Sequence, residues 1–171
     1  MGREQALPAE EVAATLRESL DHLKLSIDAM NLPRGDINGL LASLRYRLQR
    51  RIAQAGLTIE WQVDELPQWH RGTDQSMRHL QFLLLEAISN ALQHARASTL
   101  TLSARSDGES IEISVRDDGC GGVVEASNGL QSMRERARAI GADLSVENAE
   151  PGTRVRVMLP LSLERRARER A

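Results

Sequence analysis

Lysine is almost absent from this sequence: Lys24 is the only lysine among 22 basic residues. The GxxxxGK[ST] phosphate loop and the strand lysine of eukaryotic-type protein kinases both need a lysine elsewhere in the chain, so both kinds of ATP site are excluded. If the protein handles ATP, it must do so with a different kind of site.

Cysteine and long apolar runs are also scarce. The single cysteine, Cys120, excludes an intrachain disulfide and a thiolate-rich zinc site. No apolar run approaches the roughly 18 residues of a membrane span, and no signal peptide opens the chain. The formal net charge of −2 gives no general attraction to nucleic acid or to anionic membranes. A cytoplasmic location without direct nucleic-acid contact is therefore expected.

The remaining composition is that of a soluble globular protein, with 41% hydrophobic and 27% charged residues in 171. In the first half of the chain, apolar spacing predicts a heptad-like helix at 9–30 and an amphipathic helix at 36–55. Pro and Gly at 31–36 predict a hinge between them. A half-buried strand at 57–63 follows, and then a helix at 73–95 whose apolar stripe is Met77, Leu80, Leu84, Ile88 and Ala91.

In the second half, alternating residues predict strands at 98–104 and 110–117, then a helix at 129–140, and strands at 142–148 and 153–159. Strands joined by short turns pair antiparallel, whereas helical crossovers permit parallel neighbours. We therefore expect an α/β protein, a two-layer sandwich of a mixed β-sheet with helices on one face, preceded by a helical fragment. The order of the strands is left open.

A carboxylate ends the strand at 110–117. Ile111, Ile113 and Val115 share its inward face, and by the same parity Asp117 points inward while Asp118 points outward. A buried carboxylate needs a partner, because its unpaired desolvation is costly. The following glycines permit close approach of a flat ligand; they are Gly119, Gly121 and Gly122. An Asp-Gly hairpin turn is the alternative, but a loop and a helix follow rather than a strand.

Three further segments carry polar groups at suggestive positions. Glu86, Asn90 and His94 form one ridge of a helix, either a solvated face or a site where carboxylate and amide oxygens hold hydrated Mg²⁺. The helix starting near Gly129 offers N-terminal amides to phosphates. Thr153 shares the inward face of the last strand, where its hydroxyl could bond the same carboxylate or a base edge; a simple turn into a strand is the alternative.

In this order, the segments resemble the ATP-binding domain of bacterial sensor histidine kinases, the GHKL or Bergerat fold shared with gyrase, Hsp90 and MutL. EAISNALQHA (86–95) resembles the N box and DDGCGG (117–122) the DxGxG box. NGLQSMRERARAIGADLSVE (128–147) resembles the second glycine box of the NarX/DesK-like subfamily, and PGTRVRVMLPL (151–161) the Gly-Thr block. The resemblance covers residues 36–162.

The resemblance implies ATP and Mg²⁺ as ligands and assigns roles to individual residues. Asn90 would bind the Mg²⁺ that bridges the ATP phosphates, Glu86 would be a further metal-shell or polarising carboxylate, and His94 would lie near the phosphates. Asp117 would accept a hydrogen bond from the adenine amine, with Thr153 reached through a shared water. The remaining ATP-binding positions would shape the pocket and its lid; they are Gly119, Gly121, Gly129 and Leu130.

The resemblance also implies a domain organisation and an activity. Residues 1–33 would be the end of a dimerisation and phosphotransfer helix with a hinge, 34–162 the catalytic domain, and 163–171 a charged tail. The enzyme would be a protein-histidine kinase whose partners are its own phosphotransfer helices, in a dimer, and a response regulator. Membrane contact would come only through regions N-terminal to this sequence, which could anchor the full-length protein in the inner membrane.

The sequence departs from the family pattern in several places. The four histidines are followed by Leu, Arg, Leu and Ala instead of the Asp or Glu that follows a phosphoacceptor, so we expect ATP binding without autophosphorylation by this chain alone. Gln93 stands where a basic residue is common, Ser127 replaces a glycine, and only Val123 to Ser127 form the lid. The alternatives are an anti-sigma-type kinase or ATPase of the same fold, or a degenerate non-catalytic nucleotide-binding module; the heptad helix favours the sensor kinase.

Overall fold

The computed structural model describes residues 33–54, 56–94, 96–121 and 128–162. The helix predicted at 9–30 and the tail at 163–171 lie outside the described residues. The other predicted elements are confirmed, with boundaries that differ by no more than two residues. The elements are α1 (Ile37–Gln54), β1 (Thr58–Val63), α2 (Asp74–His94), β2 (Thr99–Ser106), β3 (Ser110–Asp117), α3 (Asn128–Ile140), β4 (Asp143–Asn148) and β5 (Thr153–Pro160).

The strands form one mixed sheet in the order β1-β2-β3-β5-β4. β1 and β2 are parallel because α2 forms the crossover between them, and the other neighbours are antiparallel. The last strand thus lies between β3 and β4. In its antiparallel register Arg154 pairs with Arg116, so the start of β5 lies beside the end of β3. This placement brings the Gly-Thr segment to Asp117.

The hydrophobic core lies between one face of the sheet and the three helices. α1 begins after Asp36, whose Oδ1 accepts a hydrogen bond of 2.8 Å from the Gly39 amide and caps the helix. The inward side chains of α1 are all buried; they are Ile37, Leu40, Leu41, Leu44, Leu48 and Ile52. α2 is buried on more than one side, since Leu83, Leu85 and Ala87 are buried together with the predicted apolar stripe.

Part of the predicted hinge is fixed to the domain. The Trp69 amide donates to the Gly35 carbonyl at 2.9 Å, and Arg34 Nε lies 3.0 Å from Asp74 Oδ1. Gly35 has φ 70°, and a Cβ there would overlap the Trp69 carbonyl. Trp69 is fully buried and its indole Nε1 donates to the Pro160 carbonyl at 3.2 Å. Residues 33–36 therefore belong to the folded domain, whereas 31 and 32 lie outside the described residues.

The helices that the structure describes include none that is both long enough and apolar enough to cross a membrane.

Candidate functional site

Asp117, the last residue of β3, is buried with 6% of its surface exposed. Its Oδ1 accepts hydrogen bonds from the Gly119 amide at 2.9 Å and from the Thr153 amide at 3.2 Å. No described residue donates a hydrogen bond to Oδ2. The carboxylate is therefore held in one orientation by two main-chain donors, and its second oxygen remains available to a donor on a ligand.

The contact with Thr153 differs from the one considered from the sequence. The main-chain N–H of Thr153 donates to Asp117, and within the described residues the Thr153 hydroxyl makes no hydrogen bond. The alternation along β5 predicted only that the Thr153 side chain faces inward. The antiparallel pairing of β3 with β5 also directs the Thr153 main-chain amide toward the Asp117 carboxylate. The half-buried hydroxyl is thus not used in holding Asp117.

Gly152 is a site residue that was not predicted from the sequence. It is buried with φ 95°, and a Cβ at this position would overlap the Asp117 carbonyl oxygen and lie 2.8 Å from Asp117 Oδ1. Any side chain here would push β5 away from the carboxylate. The Pro-Gly-Thr turn before the last strand is the sequence signal that could have identified it.

The glycines after Asp117 keep the adjoining backbone close. Gly121 has φ 65°, in the left-handed region that favours glycine, and a Cβ there would lie 3.2 Å from the Gly152 carbonyl oxygen. Gly119 contributes its amide to Asp117, as described above, and Cys120 between the two glycines is exposed. Gly119, Gly121 and Gly152 therefore surround the carboxylate with backbone rather than side chains.

The outward neighbour, Asp118, has a structural role. Its Oδ1 accepts from the Ser98 and Thr99 amides, each at 2.8 Å, and its Oδ2 accepts from the Ser98 hydroxyl at 2.6 Å. The Ser98 side-chain bond, followed by the Thr99 backbone bond, lowers the pKa of Asp118 to about 2. As the strand parity predicted, Asp117 faces inward to the site. Asp118 faces outward and accepts hydrogen bonds from the residues at the start of β2.

A second group of predicted residues meets where α2 faces the start of α3. Glu86 and Asn90 are half-buried on α2, and Gly129 lies in the first turn of α3. A Cβ at Gly129 would overlap Glu86 Oε1 and would lie 3.6 Å from Asn90 Nδ2. The polar ridge of α2 is therefore covered in part by α3 and is not simply a solvated helix face.

The chemistry of Glu86 and Asn90 suits a small divalent cation, because Mg²⁺ prefers carboxylate and amide oxygens. Across the described ranges there is no cluster of three or more His, Cys, Asp or Glu side chains that could enclose a metal. Mg²⁺ at these two side chains would therefore need further oxygen ligands from a substrate and from water. This requirement fits a metal that binds together with phosphate groups.

Two predicted positions give less information. Leu130 is 3% exposed and belongs to the hydrophobic core, where it anchors the first turn of α3. The His94 side chain and the whole lid segment 122–127 lie outside the described residues. The ATP-binding roles assigned to Leu130, to His94 and to the lid stay predictions.

The chain is similar to a known protein family and to a known sensor protein. Residues 75–163, more than half of the chain, match the family described as histidine kinase-, DNA gyrase B-, and HSP90-like ATPase. The sensor protein NarQ homolog of Haemophilus influenzae is 32% identical over 157 residues, which cover 88% of this chain and 26% of that protein. This chain thus spans about a quarter of the length of that relative.

Solved structures show the same fold. The histidine kinase domain of the Erythrobacter litoralis EL346 blue-light activated histidine kinase aligns with a TM-score of 0.68 and 23% identity, over 85% of this chain and 74% of that one. Full-length ShkA, crystallised in complex with AMPPNP, aligns with a TM-score of 0.61 and 26% identity, over 91% of this chain and 40% of that one. The chain therefore belongs to the histidine kinase-, DNA gyrase B- and HSP90-like ATPase family and contains its ATP-binding domain.

Proposed function

We propose that this chain carries the catalytic domain of a two-component sensor histidine kinase, which transfers the γ-phosphoryl group of ATP to a histidine outside this sequence. The observation that carries the proposal is the arrangement at Asp117, whose Oδ1 is held by two amides and whose Oδ2 is open to a donor. The exocyclic amine of adenine is such a donor. The carboxylate accepts from it, and a buried charged acceptor makes this hydrogen bond strong and selective.

The relatives support the kinase assignment over other members of the family. The relative from Haemophilus influenzae is a sensor protein, one aligned solved structure is a histidine kinase domain, and a second aligned structure, ShkA, is in complex with AMPPNP, an analogue of ATP. In this proposal residues 34–162 are the catalytic domain, and 1–33 contain the end of a dimerisation and phosphotransfer helix. The charged residues 163–171 form a tail.

The phosphate end of ATP is assigned to the junction of α2 and α3. Glu86 and Asn90 would hold Mg²⁺ through side-chain oxygens, and the close approach of Gly129 keeps the N-terminal amides of α3 near them. His94 is one helical turn beyond Asn90 and is assigned to the phosphates as well. When bound, Mg²⁺ supplies positive charge that neutralises the β- and γ-phosphate oxygens. The helix N-terminus adds a partial positive charge of the same sign.

The reaction needs positioning more than acid–base chemistry. A histidine nitrogen attacks the γ-phosphorus, the bond from phosphorus to the bridging β–γ oxygen breaks, and ADP leaves with that oxygen. Asp117 and the surrounding glycines orient the base, whereas Glu86 and Asn90 orient the phosphate end. The proposed protein partners are the phosphotransfer helices, which carry the acceptor histidine in a dimer, and a response regulator that receives the phosphoryl group.

The test has two parts. Calorimetric titration of this chain with ADP or ATP, with and without Mg²⁺, should show saturable binding that Mg²⁺ strengthens for ATP. Incubation with γ-labelled ATP and the separately purified phosphotransfer domain of the full-length kinase should then label that domain with an acid-labile phosphohistidine. Absence of heat with every nucleotide would overturn the ATP site. Binding without any phosphohistidine would favour the degenerate nucleotide-binding module or, if ATP is hydrolysed, a different ATPase of the same fold.

A further inference from the structure

The face of the sheet opposite the helices is polar and forms an open trough of about 720 Å³. We call it the outer face and define it by the outward side chains of β1, β2, β3 and β5. Hydroxyl-bearing residues form much of its floor, and arginines stand on its β3 and β5 side. Its lining residues include Thr101, Ser103, Ser114, Arg116, Arg154 and Arg156.

Several charges on the outer face already have partners. Arg105 on β2 lies 3.1 Å from Glu112 on β3, and Arg156 on β5 lies 3.3 Å from Glu147 on β4. Such cross-strand pairs are the ordinary way in which a sheet neutralises its solvent-facing charges. Among the described residues they leave Arg116 without a carboxylate at ion-pair distance.

Arg116 lies directly opposite a second arginine, Arg154. The two residues are direct partners in the β3–β5 register, so two positive side chains start from opposite positions on neighbouring strands. The nearest carboxylate to Arg154 is Glu147 at 3.8 Å, and no carboxylate of the described residues lies within ion-pair distance of the half-buried Arg116. Like charges directly opposite each other destabilise a sheet, and a bound anion would remove this repulsion.

The surroundings of the pair add hydrogen-bond donors and space. Thr101 pairs with Arg116 from the β2 side, and Ser103 pairs with Ser114, so small hydroxyl side chains leave a recess next to the guanidinium groups. Arg156 faces Ser114 from β5, and its Nε is buried without a hydrogen-bond partner in the described residues. The recess therefore combines positive charge, hydroxyl groups and an unsatisfied donor.

The β1 side of the trough has the opposite charge, because Glu60 and Asp64 line it. A ligand with uniform negative charge, such as a nucleic acid, would be repelled there. An extended protein segment can place acidic side chains over Arg116 and Arg154 and neutral or basic ones over β1. Charge complementarity thus favours a protein segment as the occupant.

We propose that the outer face is a docking surface for an acidic segment of a partner protein, whose carboxylates bridge Arg116 and Arg154. The site lies on the opposite face of the sheet from Asp117 and uses none of the side chains assigned to ATP. It can therefore be tested in the absence of ATP.

The experiment uses a fluorescein-labelled peptide of alternating glutamate and serine, with fluorescence anisotropy measured at low ionic strength without nucleotide. The test variant combines Arg116→Gln and Arg154→Gln. The matched control combines Arg134→Gln and Arg138→Gln on the exposed side of α3, which removes the same charge from another surface. Thermal unfolding of both variants checks that they fold.

We expect the test variant to bind the peptide about tenfold or more weakly, since charge-assisted hydrogen bonds are lost, and the control to bind within about twofold of wild type. Amide chemical-shift changes caused by the peptide should map to β3 and β5. Equal weakening in the control, or no binding by wild type, would overturn the proposal. Binding of inorganic phosphate or of an oligonucleotide, but not of the peptide, at these arginines would also overturn it.

Discussion

Replacement of Asp117 by asparagine tests the proposed adenine contact with the smallest possible change of shape. The asparagine oxygen can still accept the hydrogen bonds that the Gly119 and Thr153 amides donate to Oδ1. Its NH₂ group then takes the place of Oδ2. At that position a donor faces the adenine amine, which is itself a donor, so an attractive contact becomes an unfavourable one.

The size of the effect follows from the type of bond that is lost. A hydrogen bond to a charged group contributes about 1.5–3 kcal/mol, and about 1.4 kcal/mol corresponds to a tenfold change in Kd. We therefore expect Asp117→Asn to weaken ADP and ATP binding by roughly ten- to 150-fold. Because both main-chain bonds can be kept, the free energy of unfolding should change by less than about 1 kcal/mol.

The assay is calorimetric titration with ADP, combined with thermal unfolding in the absence of nucleotide. Asp118→Asn is the matched control, since it removes the same charge from the next residue. Asp118 faces outward and ties Ser98 and Thr99, so this variant should lose stability and keep the nucleotide affinity of wild type.

The proposed adenine contact would be refuted if Asp117→Asn bound ADP as tightly as wild type. It would also be refuted if Asp118→Asn caused the larger loss of affinity, because the inward carboxylate would then not be the base-reading group. A loss of affinity in Asp117→Asn that is accompanied by unfolding would be resolved by repeating the titration below the unfolding temperature of the variant.

Three further predictions follow from the same geometry. Gly129→Ala should reduce the Mg²⁺-dependent gain in ATP affinity, because the added Cβ overlaps Glu86 Oε1 and displaces that carboxylate, while the free energy of unfolding should change by less than about 1 kcal/mol since the end of the Glu86 side chain can turn away; calorimetric titration with and without Mg²⁺ and thermal unfolding measure the two effects. The exposed Cys120 thiol should react with a chromogenic disulfide about tenfold more slowly when ADP is at ten times its Kd, and Asp117→Asn at the same ADP concentration should keep no more than about twofold protection. The hydrogen bonds that depress the pKa of Asp118 from 3.8 to about 2 should contribute stability above pH 4 that is lost as the pH falls toward 2, and acid unfolding of Asp118→Asn should lack this component.

The location of the elements could be read from the sequence because local periodicity determines it. A strand with inward residues at every second position places Asp117 inside and Asp118 outside, and the structure confirms both. The apolar stripes of α1 and α2 are likewise buried as predicted. The family also followed from the sequence alone, since the four motifs occur in a characteristic order.

Other features depend on which segments meet in space, and local patterns carry no such information. The position of β5 between β3 and β4 was not predicted. Strands that are neighbours in a sheet need not be neighbours along the chain, so the order of the strands in the sequence does not determine which of them pair. That position alone brings the Thr153 amide to Asp117 and makes a side chain at residue 152 impossible.

The same limit applies to the helices and to the predicted hinge. Periodicity indicated that Glu86 and Asn90 share a ridge, but only the packing of α3 on α2 decided that Gly129 covers it. Pro33 and Gly35 interrupt a helix locally, as the sequence shows. The hydrogen bond between Gly35 and Trp69 and the ion pair between Arg34 and Asp74 nevertheless hold this segment against the folded domain. The sequence by itself determined the local elements and the chemistry available to the site, whereas tertiary packing decided which groups meet, because contacts between distant segments depend on how the whole core is filled.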